Sequence, residues 1–252
     1  VPDLRIDSAI AGREQFAELR GNADIRDNKL RAMLTALAKD TGDTIDLNID
    51  IDPDAEKFAL DGDLLAPKGG VVAALLGFDQ GLSVRLDGKG GWARWNGRLM
   101  ANSGGAELAD VTLAARAGYY TLMGALDVQR FVGGALARLS APRLSVDLSG
   151  RVEDGIWSGR GEIGARAMRL LLNGGYDVRE GGFDAMRADL RILDPSALSR
   201  DLRAGNLRIL TRLDGPPKGL RFDYRVTADS LQIGKAELSG VRAAADGRLV
   251  NG

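Results

Sequence analysis

The chain has 252 residues, 44% of them apolar, so it can bury a sizeable hydrophobic surface. Its 34 basic and 35 acidic residues leave a net charge of -1, which predicts no nucleic-acid partner and no strongly acidic tail. Cysteine and histidine are absent from the sequence. This excludes disulfides, metal sites built on thiolates or imidazoles, and every catalytic triad or dyad that uses either residue.

Glycine is unusually frequent, with 34 residues, whereas aromatic residues make up only 5% of the chain. Glycine is typical of turns and strand ends, and large helical cores normally contain more aromatic side chains. The composition therefore favours a β-rich protein.

A repeated segment of seven residues organises the chain, apolar-x-apolar-x-apolar-x-Gly with Ser8 or Thr211 as the middle alternate residue in two of its copies. We call the four copies landmark strands, and they end at Gly12, Gly88, Gly150 and Gly215. The alternation is typical of a half-buried strand, and we expect the glycine to end it because glycine tolerates a turn. The spacing predicts one continuous repetitive fragment over residues 1–252, with loops of variable length.

Further strands are predicted between the landmarks. Alternating apolar residues cover 45–51, 108–114 and 220–226. The segment from Leu30 to Leu37 has helical spacing, but its place in the repeat corresponds to 108–115, so we predict a strand there too. The total is roughly 16 to 20 strands, which at ~4.8 Å each would form a sheet about 80 to 95 Å long.

Short helices are predicted where the alternation breaks, at 70–77, 128–139 and 195–203. Asp194 followed by Pro195 is a typical helix start, since proline is favoured at the first helical position. Helices this short need a surface to pack on.

Two local motifs match functional signatures but are interpreted structurally. Gly159-x-Gly161-x-x-Gly164 fits the dinucleotide fingerprint, yet it follows a tryptophan that recurs in the repeat, so we predict a strand. Asp50-x-Asp52-x-Asp54 resembles a calcium loop, but Ala55 stands where glycine is required, which indicates acids on the polar face of a strand. We therefore predict no cofactor and no metal.

Trp95 and Trp157 occupy the same position in two repeats. They could stack on a sugar or line a groove, but recurrence at one position favours a role in packing. The 35 acidic residues include no pair that the sequence singles out as catalytic. We therefore expect a protein that is not an enzyme.

Segments 86–99, 157–164 and 220–229 resemble the central repeats of the TamB family, which belongs to the AsmA-like group of Gram-negative envelope proteins. The resemblance implies a mainly β fold, an elongated twisted antiparallel sheet folded into an open groove (β-taco) with short helices between repeats. It also implies a periplasmic location and a role in conducting glycerophospholipids between the inner and outer membranes, or in outer-membrane biogenesis.

Members of this family carry an N-terminal anchor in the inner membrane and a C-terminal region that meets an outer-membrane barrel partner, TamA. We expect neither in this sequence, because both of its ends look like internal positions. The implied ligands are phospholipid acyl chains, with no nucleic-acid partner.

The groove hypothesis predicts that alternate side chains of the landmark strands point to one inner face and contact lipid. These candidate lining residues are Leu82, Val84, Leu86, Leu144, Val146, Leu148, Ile209 and Leu213. Too few helices are predicted to cover the whole apolar face, so acyl chains could cover the remainder.

The alternative is a right-handed β-helix or similar solenoid, acting as an adhesin or a polysaccharide-binding protein. Such a solenoid has coils of about 20 to 25 residues with asparagine or aromatic ladders inside. The best internal match here is at a shift of 62 residues, and the sequence contains no asparagine ladder, so the groove is favoured.

Overall fold

A computed structural model describes residues 3–6, 15–179 and 181–249. Strands dominate, and the described residues form two compact units, 1–117 and 118–252, which we call the first and second units. None of the helices in these ranges is long and apolar enough to span a membrane.

The first unit is an antiparallel sheet of eight described strands in which each strand pairs with the next one along the chain. One short helix, α1 (Val71–Leu75), lies between the fifth and sixth strands. The strands are β1 (Asp3–Ile6), β2 (Gln15–Arg26), β3 (Lys29–Ala38), β4 (Thr44–Asp52), β5 (Lys57–Ala66), β6 (Leu82–Gly90), β7 (Arg94–Ser103) and β8 (Ala106–Arg116).

The second unit is an antiparallel sheet of nine described strands, with helix α2 (Gly134–Leu139) and two 3-10 turns, Pro195–Ala197 and Pro217–Gly219. Neighbouring strands pair in chain order, except that β14 and β15 lie side by side along the long strand β16. The strands are β9 (Tyr119–Leu126), β10 (Leu144–Glu153), β11 (Ile156–Ala165), β12 (Met168–Asp177), β13 (Gly182–Ile192), β14 (Leu202–Gly205), β15 (Arg208–Gly215), β16 (Arg221–Ile233) and β17 (Ala236–Arg248).

The predicted fold class is confirmed. The protein is mainly β, the sheets are antiparallel and not closed, and short helices interrupt them, as in an open groove. The 17 strands of the described residues fall within the predicted number. A right-handed β-helix stacks parallel coils, so the antiparallel pairings exclude that architecture for the described ranges. The continuity of the repeat over 1–252 stays a prediction.

Three landmark strands coincide with β6, β10 and β15, while the first, residues 6–12, lies outside the described residues except for Ile6 at the end of β1. The predicted role of the landmark glycine was wrong at two positions. Gly88 and Gly150 lie inside their strands and do not have positive φ, so neither glycine ends its strand. Only Gly215, at the end of β15 with φ +96°, matches the expected turn.

Each interruption in the alternation contains a helical segment, but the segments are shorter than predicted, and the last two residues of 195–203 already belong to strand β14. They correspond to α1, α2 and the 3-10 turn at Pro195, whose start is capped by the Asp194 carboxylate, which accepts a 3.0 Å hydrogen bond from the Ser196 N–H. The Leu30–Leu37 segment forms part of β3, as its place in the repeat predicted.

In the first unit, α1 covers one end of the sheet. Val71 and Ala73 are buried together with Ala66 and Leu82 at the ends of β5 and β6. The buried Asp43 carboxylate holds the helix there by accepting hydrogen bonds from the N–H groups of Val71 and Val72, at 2.9 and 3.0 Å. These N–H groups have no partner within the helix, so a side chain 28 residues away acts as the cap.

In the second unit, α2 and the 3-10 turn cover the equivalent end of the strands. The two are joined by Arg138, which donates hydrogen bonds of 2.8 Å to the carbonyl groups of Ala197 and Leu198. Beneath them lies the main buried cluster of this unit: Leu139, Ala167, Ile192, Ala197, Leu207 and Ala228.

Replacing Asp43 by alanine should destabilise the first unit by about 1–2 kcal/mol, because two buried N–H groups at the start of α1 lose their acceptor. Urea unfolding followed by circular dichroism would measure the change. Asp40→Ala is the matched control, since Asp40 is exposed on the same turn. Equal stability of the Asp43→Ala and Asp40→Ala variants would contradict the capping role.

Candidate functional site

The pairing register assigns every side chain of the first sheet to one of two faces, because directly paired residues in an antiparallel sheet point the same way. We call the two sides of each sheet its apolar face and its polar face. One register row across β2 to β8 illustrates the apolar face: Gly21, Leu34, Leu47, Gly62, Leu86, Leu99 and Val111. The flanking rows on the same side are likewise built of Ala, Ile, Leu, Val, Gly, Phe and Trp.

The second sheet has the same property. A row across β10 to β17 reads Val146, Ile163, Leu170, Leu190, Ile209, Val226 and Ala243. Charged residues form 27% of the chain, yet the paired apolar-face positions between Ala17 and Ala115 hold none. In the second unit the charges on this side are confined to the far end of β16, where Gln232 is paired with Arg203 of β14 and Glu237 of β17. Each unit therefore presents a wide surface that is largely free of charge.

These apolar faces are only partly covered. Full burial is concentrated at the strand ends beneath the helices, whereas most of the large side chains farther along the strands are half-buried. Leu34, Ile45 and Leu113 of the first unit each keep 36% of their surface exposed. A large exposed apolar surface of this kind normally marks a place where something binds.

All eight predicted lining residues lie on the apolar face of their own sheet. Leu82 and Val146 are buried, and the other six are half-buried. Their contact with lipid stays a prediction. The landmarks did not identify the lining residues of the intervening strands, such as Ile163 and Leu190, which are equally part of the surface.

The landmark glycines make room for tryptophan on this face. The Trp95 ring lies over Gly88 and Gly97, where an added Cβ would come within 2.1 and 2.3 Å of the indole. Trp157 lies in the same way over Gly150 and Gly159 of the next repeat. The recurrence of the two tryptophans thus reflects packing across the sheet, as the sequence favoured.

Aromatic rings gather at the strand ends opposite the helices. In the first unit Phe58 stacks on both Trp92 and Trp95, with ring centroids 6.0 and 5.5 Å apart. In the second unit Tyr176 meets Phe183 edge to face at 5.6 Å. Each apolar face is therefore bounded by a helical cap at one end and by aromatic rings at the other.

The polar faces carry cross-strand ion pairs. Three arginines donate two hydrogen bonds each to an acid on a neighbouring strand: Arg98 to Asp110, Arg169 to Glu162 and Arg208 to Asp189, at 2.6 to 2.9 Å. The hydrogen bond from Arg208 lowers the pKa of Asp189 below its usual value, against the smaller opposing effect of burial. Each such exposed pair contributes little stability by itself. Because a charged residue finds an oppositely charged partner on the polar face, the pairs nevertheless favour the polar face for charged residues.

The two sequence motifs occupy structural positions. Gly159, Gly161 and Gly164 lie within β11 and no helix follows them, so the dinucleotide arrangement does not exist here. Asp50 and Asp52 lie on the polar face of β4, where Lys57 and Lys29 lower their pKa values through hydrogen bonds. Within the described ranges no group of three or more acidic residues could hold a metal ion.

Gly88→Ala should displace the Trp95 ring and destabilise the protein by about 1–3 kcal/mol, because the new methyl group would overlap the indole. Gly62→Ala is the matched control on the same face, since its Cβ would meet Leu47 at an ordinary 3.4 Å. Urea unfolding and the emission of Trp95, in a Trp92→Phe/Trp157→Phe background, would report both effects. Equal stability and identical emission of the two variants would contradict the packing role.

Comparison with family models, with curated proteins and with solved structures gave no match. Function must therefore be inferred from the surfaces themselves. The dominant surface is the half-covered apolar face that runs across the strands of each unit and is largely free of charge. Its chemistry suits a long aliphatic ligand, because it offers contact area without specific polar groups.

Proposed function

We propose that the apolar face of each unit binds the acyl chains of glycerophospholipids, and that the protein conducts these lipids through the periplasm between the inner and outer membranes. The observation that supports this proposal is that the paired positions of the two apolar faces carry no charge apart from Arg203 and Glu237 at the far end of β16, combined with the incomplete cover of both faces. The resemblance to TamB repeats points to the same function. It also suggests the role in outer-membrane biogenesis, with an inner-membrane anchor and the barrel partner TamA outside this sequence.

The energetics favour an aliphatic ligand. Each methylene group moved from water to an apolar surface gains ~0.8 kcal/mol, so ten methylenes gain about 8 kcal/mol before the costs of binding. A single charge in the path would cost several kcal/mol, because it would lose its hydration without gaining a partner. Continuity of the uncharged surface therefore matters more for conduction than any one side chain.

The lateral arrangement also suits a passage. Rows such as Val146, Ile163, Leu170 and Leu190 run across the strands, perpendicular to the chain direction, so a ligand can shift from one strand to the next without meeting a polar barrier. Helical caps lie at one end of the strands and aromatic rings at the other. The path that runs across the strands, between these two borders, therefore stays open to an aliphatic ligand.

A charge placed on the apolar face should stop lipid transfer, whereas the same change on the polar face should not. Val146, which is buried between Gly124 and Ile163, and Asp147, which faces Met123 and Glu162, are adjacent residues on opposite faces of β10. We expect Val146→Asp to abolish transfer of a fluorescent phospholipid between vesicles and Asp147→Lys to retain it.

A second pair separates loss of transfer from loss of folding. Leu34 and Met33 are adjacent on β3, on opposite faces, and are 36% and 56% exposed. Leu34→Asp should reduce transfer on the order of tenfold, for a loss near 1.4 kcal/mol in lipid binding, while Met33→Asp leaves it unchanged. Circular dichroism and melting temperature check that both variants fold. Equal transfer by the two folded variants would overturn the proposal.

A further inference from the structure

A depression of about 830 Å³ lies on the polar face of the second unit, on the side of the sheet opposite the apolar face. It spans β9 to β13. The side chains that form it come from polar-face rows of the register and include Tyr119, Arg151, Glu153, Arg160, Asn173 and Arg187. Its volume is within the range of small-molecule sites.

Two arginines of this depression lack the counter-charges that other polar-face arginines have. Arg98, Arg169 and Arg208 each hold a carboxylate with two hydrogen bonds. For Arg160 and Arg187, the described part of the chain supplies no ion pair. Arg187 is moreover directly opposite Arg212 in the register, and like charges so placed repel each other; Arg212, on its other side, is opposite Asp223.

The arginines are placed to act together. Arg160, Asn173 and Arg187 are consecutive members of one register row, on β11, β12 and β13. Adjacent strands are ~4.8 Å apart, so the two arginine backbones are separated by about 10 Å with the asparagine amide between them. An anion above Asn173 would be within reach of both guanidinium groups.

The backbone beside this row is irregular. The register between β12 and β13 shifts between Asn173 and Gly175, which marks a β-bulge. Ala185, on the rim of the depression, has φ +47°, a left-handed conformation that a residue with a Cβ rarely adopts, and its N–H donates a 3.2 Å hydrogen bond to the Asp214 carboxylate. Bulges and strained residues concentrate at functional sites because they redirect side chains.

We propose that this depression binds a phosphate-bearing ligand, with Arg160 and Arg187 clamping the phosphate group over Asn173. The planar guanidinium fork binds phosphate oxygens in pairs, and a dianion offsets the repulsion between Arg187 and Arg212. The remaining charged groups of the depression are the ion pair of Arg151 with Glu153, at 3.4 Å, and Asp184. Asp184 lies in the row next to Arg160–Asn173–Arg187 and Glu153 in the row beyond that one, so both carboxylates direct the anion to the Arg160–Arg187 row.

The wider charge distribution favours an anionic ligand in this unit. Residues 118–252 contain 20 basic and 16 acidic residues, whereas residues 1–117 contain 14 and 19. The site does not depend on the proposed lipid conduction, because its side chains lie on the other face of the sheet.

Calorimetric titration of the whole chain with inorganic phosphate and with pyrophosphate, at low ionic strength, tests the proposal. The wild type should bind saturably. The Arg160→Gln/Arg187→Gln variant should bind at least about tenfold more weakly, because each guanidinium supplies charge-assisted hydrogen bonds. Arg225→Gln is the matched control, since Arg225 lies on the same polar face of β16 outside the depression. It should bind as the wild type does.

Cosedimentation with phosphatidylcholine vesicles, with and without phosphatidic acid, identifies the source of the phosphate. If the protein cosediments with vesicles that contain phosphatidic acid, and does so only when both arginines are present, the ligand is a lipid headgroup. If the protein binds only the soluble phosphates, the ligand is a free phosphate compound. If the double variant unfolds, Arg187→Lys, which keeps the charge but loses the fork, should still weaken binding. The proposal is overturned if the wild type binds neither probe, or if the arginine variants bind as tightly as Arg225→Gln.

Discussion

The cost of burying an unpaired charge is the constraint on which the rest of this structure depends. A pleated sheet sends successive side chains to opposite sides, so a strand can keep all its charges on one side only if its sequence alternates strictly. The chain does so in strand after strand, although it contains 69 charged residues. A single register slip between two strands would bring charged residues onto the apolar face, which makes the observed pairing strongly favoured.

The other features follow from the presence of one apolar face per sheet. Such a face must be covered, and residues 15–179 and 181–249 provide only short helices, which lie over the strand ends and are held there by Asp43 and Arg138. Tryptophans folded down over glycines cover part of the opposite ends. The remaining surface is half-exposed, and an aliphatic ligand would complete what the polypeptide leaves uncovered.

The fold was predictable because its signals are local. Alternation within seven residues identified β6, β10 and β15, and the breaks in alternation identified the helical segments. The strand at Leu30–Leu37 was predictable only through the repeat, since its own spacing favoured a helix. The role of Gly88 was not predictable, because it depends on which way the Trp95 ring turns across a strand pair.

The surfaces were predictable to different degrees. Alternation in the sequence predicted eight apolar-face residues. The extent of the face depends on the pairing register, which brings together residues far apart in sequence. Val146 and Leu170, for example, lie in one row because both are paired with Ile163. The row of Arg160, Asn173 and Arg187 is invisible in the sequence for the same reason. Its irregular backbone depends on a bulge that the sequence gives no sign of.

The five methionines offer the most direct test of the central claim, that lipid contacts the apolar face of a sheet and not its polar face. Met168 and Met186 lie on the apolar face, whereas Met33, Met100 and Met123 lie on the polar face. Methyl-labelled methionine in a deuterated chain, saturated with phospholipid, would reveal direct contacts as nuclear Overhauser effects from acyl methylene protons. The account predicts such effects at Met168 and Met186 only. Effects confined to Met33, Met100 and Met123, or equal at all five, would contradict it.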